Sequence, residues 1–323
     1  MLMQPRRPLP IPLIAHATIA INGRYDPEVE VRARRTAMQI GRLGVWYGMD
    51  KLTGSQIPAF LALVERLNYG ALWYPESRGY ESLSLAGFML GNSTKLKIGS
   101  SIASIYARDA FTARRGMLSL NALYGGRFIL GLGVSHVPMV EGIRGHTYAK
   151  PVPAMRAYLE GISKDQPGSE AWPIVVAALG PLMLKLSSER ARGAVPYNVT
   201  PEHTARAAKI LGPSKVLAVE QKVCLVTDAG RARALGRKEL ARYMVLDNYR
   251  NCWLGLGFTE AELASGGSDR FIDAMVLWGD AATVKGKLRA HFTAGATHVC
   301  IQPLHDDGDF AARDRILTAL ADT

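Results

Sequence analysis

A single (β/α)8 TIM barrel of the α/β class is the fold this 323-residue sequence predicts. Three observations lead there. Short apolar runs alternate with helix-patterned stretches from about residue 41 to the end. Eight strand–helix units can be traced, more than an open doubly wound sheet usually carries. The first strand ends in Trp46-Tyr47-Gly48-Met49-Asp50, which is not the Gly-x-Gly-x-x-Gly phosphate loop of a dinucleotide fold.

In chain order, residues 1–40 lack a clear period and read as a basic N-terminal extension; residues 41–323 form the barrel domain with insertion segments. Leu43–Tyr47 is a short apolar strand. Ser55–Asn68 places Phe60, Leu63, Val64 and Leu67 at helical spacing, and Gly70 stops it. Ala71–Tyr74 is the second strand, Ser82–Gly91 a helix, Lys97–Ile102 the third strand and Asp109–Tyr124 a long helix. Gly125-Gly126 turns the chain into the fourth strand, Phe128–Leu132. A helix near Met155–Ile162 leads through a Pro/Gly-rich connector to Ile174–Ala178. Pro181–Arg192 is a helix with proline at its start, where a missing N–H is harmless. Val195–Asn198 is the sixth strand, Thr200–Leu211 a helix and Val216–Val226 the seventh strand. Residues 228–280 read as an insertion or helix pair. Thr283–Ala294 and the strand His298–Pro303 complete the barrel.

The 48% hydrophobic and 21% charged content describes a globular chain. Thirty-nine Lys plus Arg against 28 Asp plus Glu leave a net charge of +11, which favours anionic partners, including phosphorylated cofactors, acidic lipids and nucleic acid. No basic stripe interleaved with aromatics supports nucleic acid. Cys224, Cys252 and Cys300 are odd in number and far apart, so no disulfide framework is expected and a reducing compartment fits; Cys224 and Cys300 read as core. The seven histidines show no ligand spacing, and no metal is expected. No apolar run is long enough for a membrane span. Arg6-Arg7 before a short apolar stretch loosely mimics an export leader, but Pro8, Pro10 and Pro12 interrupt it. The expected location is cytoplasmic, with no membrane partner.

In such a barrel the chemistry sits at the C-terminal strand ends. That selects Trp46, Tyr47, Glu76, Ser77, Ser101 to Tyr106, Ser135, His136, Gly180 onward, Tyr197, Asn198, Glu220, Gln221 and Gln302. Trp46 and Tyr47 also suit plain core aromatics, Glu76 a helix cap, and Glu220 an ion pair with an arginine inside the barrel. The run Arg127–His136 is a buried strand whose Gly131 and Gly133 leave room for a close approach. Ala178-Leu179-Gly180-Pro181-Leu182-Met183 is a strand, a glycine turn and a helix start, a geometry that suits a phosphate.

Four segments together resemble the luciferase-like monooxygenase superfamily: Gly99–Asp109, Gly125–His136, Ala177–Pro181 and Pro196–His203. Within it, the chain is most similar to the actinobacterial deazaflavin-dependent (coenzyme F-420) oxidoreductases, from about Arg42 to about Leu304. The resemblance implies a (β/α)8 barrel and a deazaflavin at the strand ends. It implies a non-prolyl cis peptide at Ser101–Ile102, forming with Ala103 a backstop for the coenzyme ring. Ser77, Val134 and Ser135 would line the coenzyme, and Gly180, Pro181, Leu182 and Met183 would hold its phosphate. Sugar-phosphate dehydrogenase relatives carry an acid and a histidine at the second strand end; here the acid is kept as Glu76 and the histidine is replaced by Ser77. Their catalytic carboxylate after the fourth strand is replaced by His136, which can still exchange a proton. Glu76 and His136 are therefore the candidate catalytic residues. Trp46, Tyr47 and Tyr106 are the candidate substrate pocket. A homodimer is expected from the resemblance.

The resemblance implies a coenzyme F-420-dependent oxidoreductase acting on an unidentified small organic substrate. Two other readings stay open: a reduced-FMN monooxygenase using oxygen on the same fold, and a non-catalytic coenzyme-binding protein, which the substitutions at Ser77 and His136 permit.

Overall fold

The computed structural model describes residues 38–322. The extension expected over residues 1–40 lies outside the described residues except at its end, where Ile40 is 4% exposed and packs under the barrel.

The described residues form ten strands: β1 (Leu43–Trp46), β2 (Ala71–Tyr74), β3 (Lys97–Ser100), β4 (Ala103–Ser104), β5 (Phe128–Gly133), β6 (Ile174–Val176), β7 (Gly193–Ala194), β8 (Val216–Cys224), β9 (Val276–Trp278) and β10 (His298–Pro303). Eight of them close a ring in the order β10-β1-β2-β3-β5-β6-β7-β8, with β8 pairing back to β10. Every pairing is parallel. The (β/α)8 barrel expected from the sequence is therefore present.

The two remaining strands are additions. β4 continues the third barrel strand after a cis peptide at Ser101–Ile102, the bond at which one was expected, and pairs with β5. β9 runs beside the far end of β8, where β7 no longer reaches: Lys222 faces Val276 and Cys224 faces Trp278.

Strand alternation sorts the side chains. Val45, Leu72, Ile98, Leu130, Val219 and Ile301 point outward to the helices. Trp46, Trp73, Ile129, Val175, Ala218 and Cys300 point into the lumen. The lumen floor is closed by a polar lock: Trp73 Nε1 donates to His298 Nε2 at 3.0 Å, and His298 Nδ1 donates to the Gly41 carbonyl at 2.9 Å. Gly44 has to be glycine, because a Cβ there would collide with the His298 ring. The glycines of β5 serve the same end. A Cβ on Gly131 would strike the Ser100 carbonyl, and one on Gly133 would strike the Ile102 side chain. The close approach that these glycines permit is thus made by the third strand of the protein itself.

The sixth strand departs from expectation. It is Gly193–Ala194, not Val195–Asn198. Pro196 has no N–H to extend the ladder, and Asn198 has φ +58°, so the chain turns away from the sheet. Residues 228–280 hold four helices, Ala229–Leu240, Asp247–Gly255, Glu260–Leu263 and Asp269–Met275, followed by β9. This insertion has its own core around Trp253, Phe258, Phe271 and Ile272. Cys224 and Cys300 are buried as expected, and the three cysteines are free. Among the described residues no helix is long and apolar enough to cross a membrane, and no cluster of His, Cys, Asp or Glu is arranged for a metal ion.

Candidate functional site

The ends of β2, β4 and β5 enclose a cavity of about 480 Å³. Ser77 and Arg78 border it from the loop after β2, and Tyr106 and Ala107 from the loop after β4. Met139, Ile143, Arg144 and His146 border it from the loop after β5. Of the residues singled out from sequence, Ser77 and Tyr106 line this cavity.

Two carboxylates hold the loops that border it. Asp50, just after β1, accepts from the Ser77 hydroxyl and from the backbone N–H groups of Arg78, Gly79 and Tyr80 at 3.1–3.3 Å. Burial alone would raise the Asp50 carboxyl, but these hydrogen bonds outweigh it and hold it below its usual range. Glu76 is the second. Its side chain is 4% exposed and is gripped by the Arg108 guanidinium, with a 3.2 Å bond from Nη1 and a closer one from Nη2. Glu76 Oε2 also accepts from the Ser104 N–H at 2.8 Å, while the Glu76 N–H donates to the Ile102 carbonyl at 3.2 Å. Glu76 therefore ties β2 to β4 across the cis peptide. Both its oxygens are occupied as acceptors, which makes it a positioning residue and not a proton donor.

Arg108 is shared with Glu81 at 2.7 Å. Burial opposes its charge, but the two carboxylates outweigh that and raise its pKa. With Glu76 so engaged, Arg144, 4.0 Å from Glu76, brings excess positive charge to the cavity, as does Arg78.

Ile102 covers Gly133, and Ala103 is fully buried beneath it. Ser101 donates its N–H to the Tyr74 carbonyl at 2.6 Å. Val134 follows β5, and Ser135 turns the chain at φ +57°. His136 then starts the short helix Val137–Val140, its ring 5.8 Å from that of Tyr249. Burial lowers the His136 pKa below its ordinary 6.5, so the ring is neutral at pH 7. Gly180 precedes the helix Pro181–Arg190 with no side-chain cap, and a Cβ on it would meet nothing within 4 Å. Leu182 is 69% exposed, whereas the Met183 side chain is buried in the core, so only the Met183 backbone is available to a ligand. This helix start does not line the cavity.

Trp46 points into the barrel mouth, its ring 5.0 Å from Tyr197, with a buried Nε1 that has no partner. Tyr47 does not join it. One residue further along the strand, it faces outward, packs on Phe60 at 5.0 Å and donates its hydroxyl to His305 Nε2 at 3.2 Å. It belongs to the wall between barrel and helices, and its place in a substrate pocket is withdrawn.

The other side of the mouth joins Tyr197, Glu220 and Gln302, singled out from the sequence, to Lys222, Tyr243 and Tyr249, which were not. Lys222, 1% exposed, lies inside the barrel with its Nζ 3.2 Å from both Glu220 oxygens. Glu220 is thus paired inside the barrel with a lysine, not with an arginine as expected. Burial pushes this pair toward neutrality, lowering the Lys222 pKa and raising that of Glu220. The Lys222 ammonium sits 3.9 Å from the centre of the Tyr197 ring. Tyr197 donates to Gln302 Oε1 at 2.8 Å and meets the Tyr243 hydroxyl at 2.9 Å. Tyr249 closes the layer, and burial raises both Tyr197 and Tyr249 well above their ordinary pKa. The polar run Glu220-Gln221-Lys222 in an otherwise apolar strand was the available signal for Lys222. Arg78, Arg144 and His146 lie on loops, where sequence carries no comparable signal.

A closed parallel barrel with a strand-end cavity beside a broken third strand defines the class as a (β/α)8 barrel. Residues 39–164 match the family described as luciferase-like monooxygenase, which bears out the resemblance read from the sequence. A 141-residue stretch is 26% identical to a Mycobacterium tuberculosis protein provisionally named a coenzyme F420-dependent oxidoreductase. That stretch covers 42% of this chain and 40% of the relative. A 211-residue stretch is 25% identical to 5,10-methylenetetrahydromethanopterin reductase of Methanolobus tindarius, over 55% of this chain and 64% of that one. Both alignments thus span less than two thirds of the relative. Among solved structures, an F420-dependent secondary alcohol dehydrogenase with an F420-acetone adduct superposes at TM-score 0.67 and 12% identity, over 87% of this chain and 99% of that one. The oxygenating constituent of 3,6-diketocamphane monooxygenase of Pseudomonas putida, in complex with FMN, superposes at 0.65 and 14%, over 88% and 98%. At these identities the likeness shows the fold.

Proposed function

We propose that this protein is an oxidoreductase that uses coenzyme F-420, a deazaflavin, to reduce or oxidise a small organic substrate. The observation that carries the reading is the basic cavity at the ends of β2, β4 and β5. It combines apolar Met139 and Ile143 with Arg78 and Arg144 for anionic groups. The uncapped helix start at Gly180 offers backbone donors for a phosphate. Relatives named for coenzyme F-420 support it.

When bound, the deazaflavin would supply the carbon that gives or takes hydride. The protein's part is to hold and to exclude. Ile102, backed by the fully buried Ala103, would form the dry wall, Ser77 and Tyr106 the rim, and Val134 and Ser135 the turn beside it. Glu76 and Arg108 fix β4 against β2 so that this wall keeps its place. His136, neutral at pH 7, would exchange the proton, and Trp46 would border the substrate side. A homodimer and a cytoplasmic location are part of the proposal.

The FMN complex among the structural neighbours gives a second reading, an FMN-dependent monooxygenase using oxygen. Fluorescence titration of the whole chain separates the two. Submicromolar binding of coenzyme F-420 without FMN binding is the expected result. Binding of FMN alone, with oxygen-dependent turnover, would overturn it. Tight F-420 binding without reduction of any acceptor would leave a coenzyme-binding protein.

A further inference from the structure

On the outer side of β1, a second cavity of about 180 Å³ lies between the helices Ile57–Arg66 and Phe310–Leu320. Leu52, Ala59, Phe60 and Phe310 give it apolar walls, and Gln56, Arg313 and Asp314 are its polar members. Arg313 is 5% exposed. Its guanidinium carbon lies 4.2 Å from the centre of the Phe60 ring, 5.0 Å from that of Phe310 and 5.2 Å from that of Tyr47. Ring faces attract a cation, but they leave its in-plane N–H donors unmet. Arg313 Nε donates to Asp314 Oδ1 at 2.8 Å, and Nη1 is sealed without a partner. Nη2 makes no hydrogen bond among the described residues and is not sealed, so it is the nitrogen left for a ligand. A buried guanidinium this short of acceptors works against the fold unless something meets it.

Gln56 brings a second donor to the same cavity. Its Oε1 accepts from the Thr53 N–H at 2.9 Å, which fixes the oxygen and leaves the NH2 without a partner among the described residues. Charge points the same way. Lys51, next to Leu52, holds its Nζ 5.8 Å from the Tyr47 ring that Arg313 also covers, and it makes no ion pair among the described residues. Asp314 is the one carboxylate lining the cavity. Its side chain is 42% exposed, so water screens it far more than it screens Arg313. Two cations against one carboxylate suit a single negative charge, and a dianion would be repelled by Asp314. The apolar walls suit a ring or short chain behind that charge. The size agrees, because a cavity of about 150 Å³ is enough to hold benzene.

We propose that this cavity is a binding site for a small monocarboxylate with an apolar body. The carboxylate meets Arg313 Nη2 and the Gln56 NH2, and the body lies against Phe60 and Phe310. The site shares no residue with the cavity at the ends of β2, β4 and β5, and it stands whether or not coenzyme F-420 binds there.

Isothermal titration calorimetry of the full chain with benzoate, benzamide and benzylamine is the test. Benzoate is expected to bind at least tenfold more tightly than either analogue. Equal binding of benzamide, or no benzoate binding at millimolar concentration, would overturn the proposal. Arg313→Met keeps an apolar stem over the rings and removes the donors. It is expected to weaken benzoate binding tenfold or more, with thermal unfolding to check that the variant folds. Ala59→Phe decides the matter if it does not. Ala59 is an exposed helix position, and the added ring fills the cavity while Arg313 stays in place. Loss of benzoate binding is expected there too, and unaltered binding would overturn the proposal. The strand-end cavity also carries arginines, so Arg144→Ala is the control. It is expected to leave benzoate binding as it was. Loss in Arg144→Ala with retention in Ala59→Phe would put benzoate in the other cavity and overturn the proposal.

Discussion

At the ends of β2, β4 and β5 the barrel mouth is a cavity of about 480 Å³ bordered by arginines, whereas at the ends of β7, β8 and β10 it is filled by tyrosine rings over a buried ion pair. The two sides are held by different means. On the open side, Asp50 and Glu76 bind backbone N–H groups and shape loops around an empty volume. On the closed side, polar groups bind one another and fill the volume. One barrel face therefore combines a half that can admit a large ligand with a half that fixes a few donors in place, and mutations on the two sides should fail in different ways.

The largest effect is expected on the closed side. Lys222→Met leaves Glu220 buried without its cation, which should cost about 3–5 kcal/mol. Chemical denaturation would show it, and a loss below 1 kcal/mol would mean that the pair is not the keystone of that half.

Acid should act next. His291 and His298 are buried, and burial lowers both to about 4 from 6.5. Their neutral forms are held by Gln221 and Thr204 for His291, and by Trp73 and Gly41 for His298. The folded state binds fewer protons than the unfolded chain between those values. Stability is then fully present above pH 6.5 and falls as pH drops toward 4, by about 3 kcal/mol for each histidine. Denaturation midpoints that stay flat from pH 7 to 4.5 would contradict this.

Glu76→Gln sharpens the open side. It removes a two-point, charge-assisted contact with Arg108, expected to cost about 2 kcal/mol and to weaken coenzyme binding through the displaced β4. Full stability with lost turnover would instead return Glu76 to a proton-transfer role. Smallest in stability is Arg144→Ala, within about 0.5 kcal/mol, because its side chain is 26% exposed and only loosely paired. Its effect should appear as roughly tenfold weaker F-420 binding, about 1.4 kcal/mol.

What the sequence disclosed follows from the range of the forces involved. Strand and helix patterns are local, so the eight barrel units were legible, and Gly131 and Gly133 marked a close approach. The sixth strand was misplaced because apolar Val195 outweighed the warning in Pro196. Tyr47 was assigned to the pocket because it neighbours Trp46, although alternation sends the two to opposite faces. Arg144 and His146 reach the cavity only through the path of a loop, and Lys222 was passed over within a strand read as core. Long-range pairings of this kind, such as Asn198 with Lys222, 24 positions apart, have no local pattern to betray them.

β9 joins β8 outside the closed ring, against Lys222 to Cys224, so the segment between them leaves and returns at the same strand. That makes the insertion a cassette. Its length and rings can be exchanged between homologues, or in the laboratory, without altering the register by which β10 closes on β8. Selectivity in such a protein can diverge by swapping one contiguous piece while the coenzyme side is inherited unchanged.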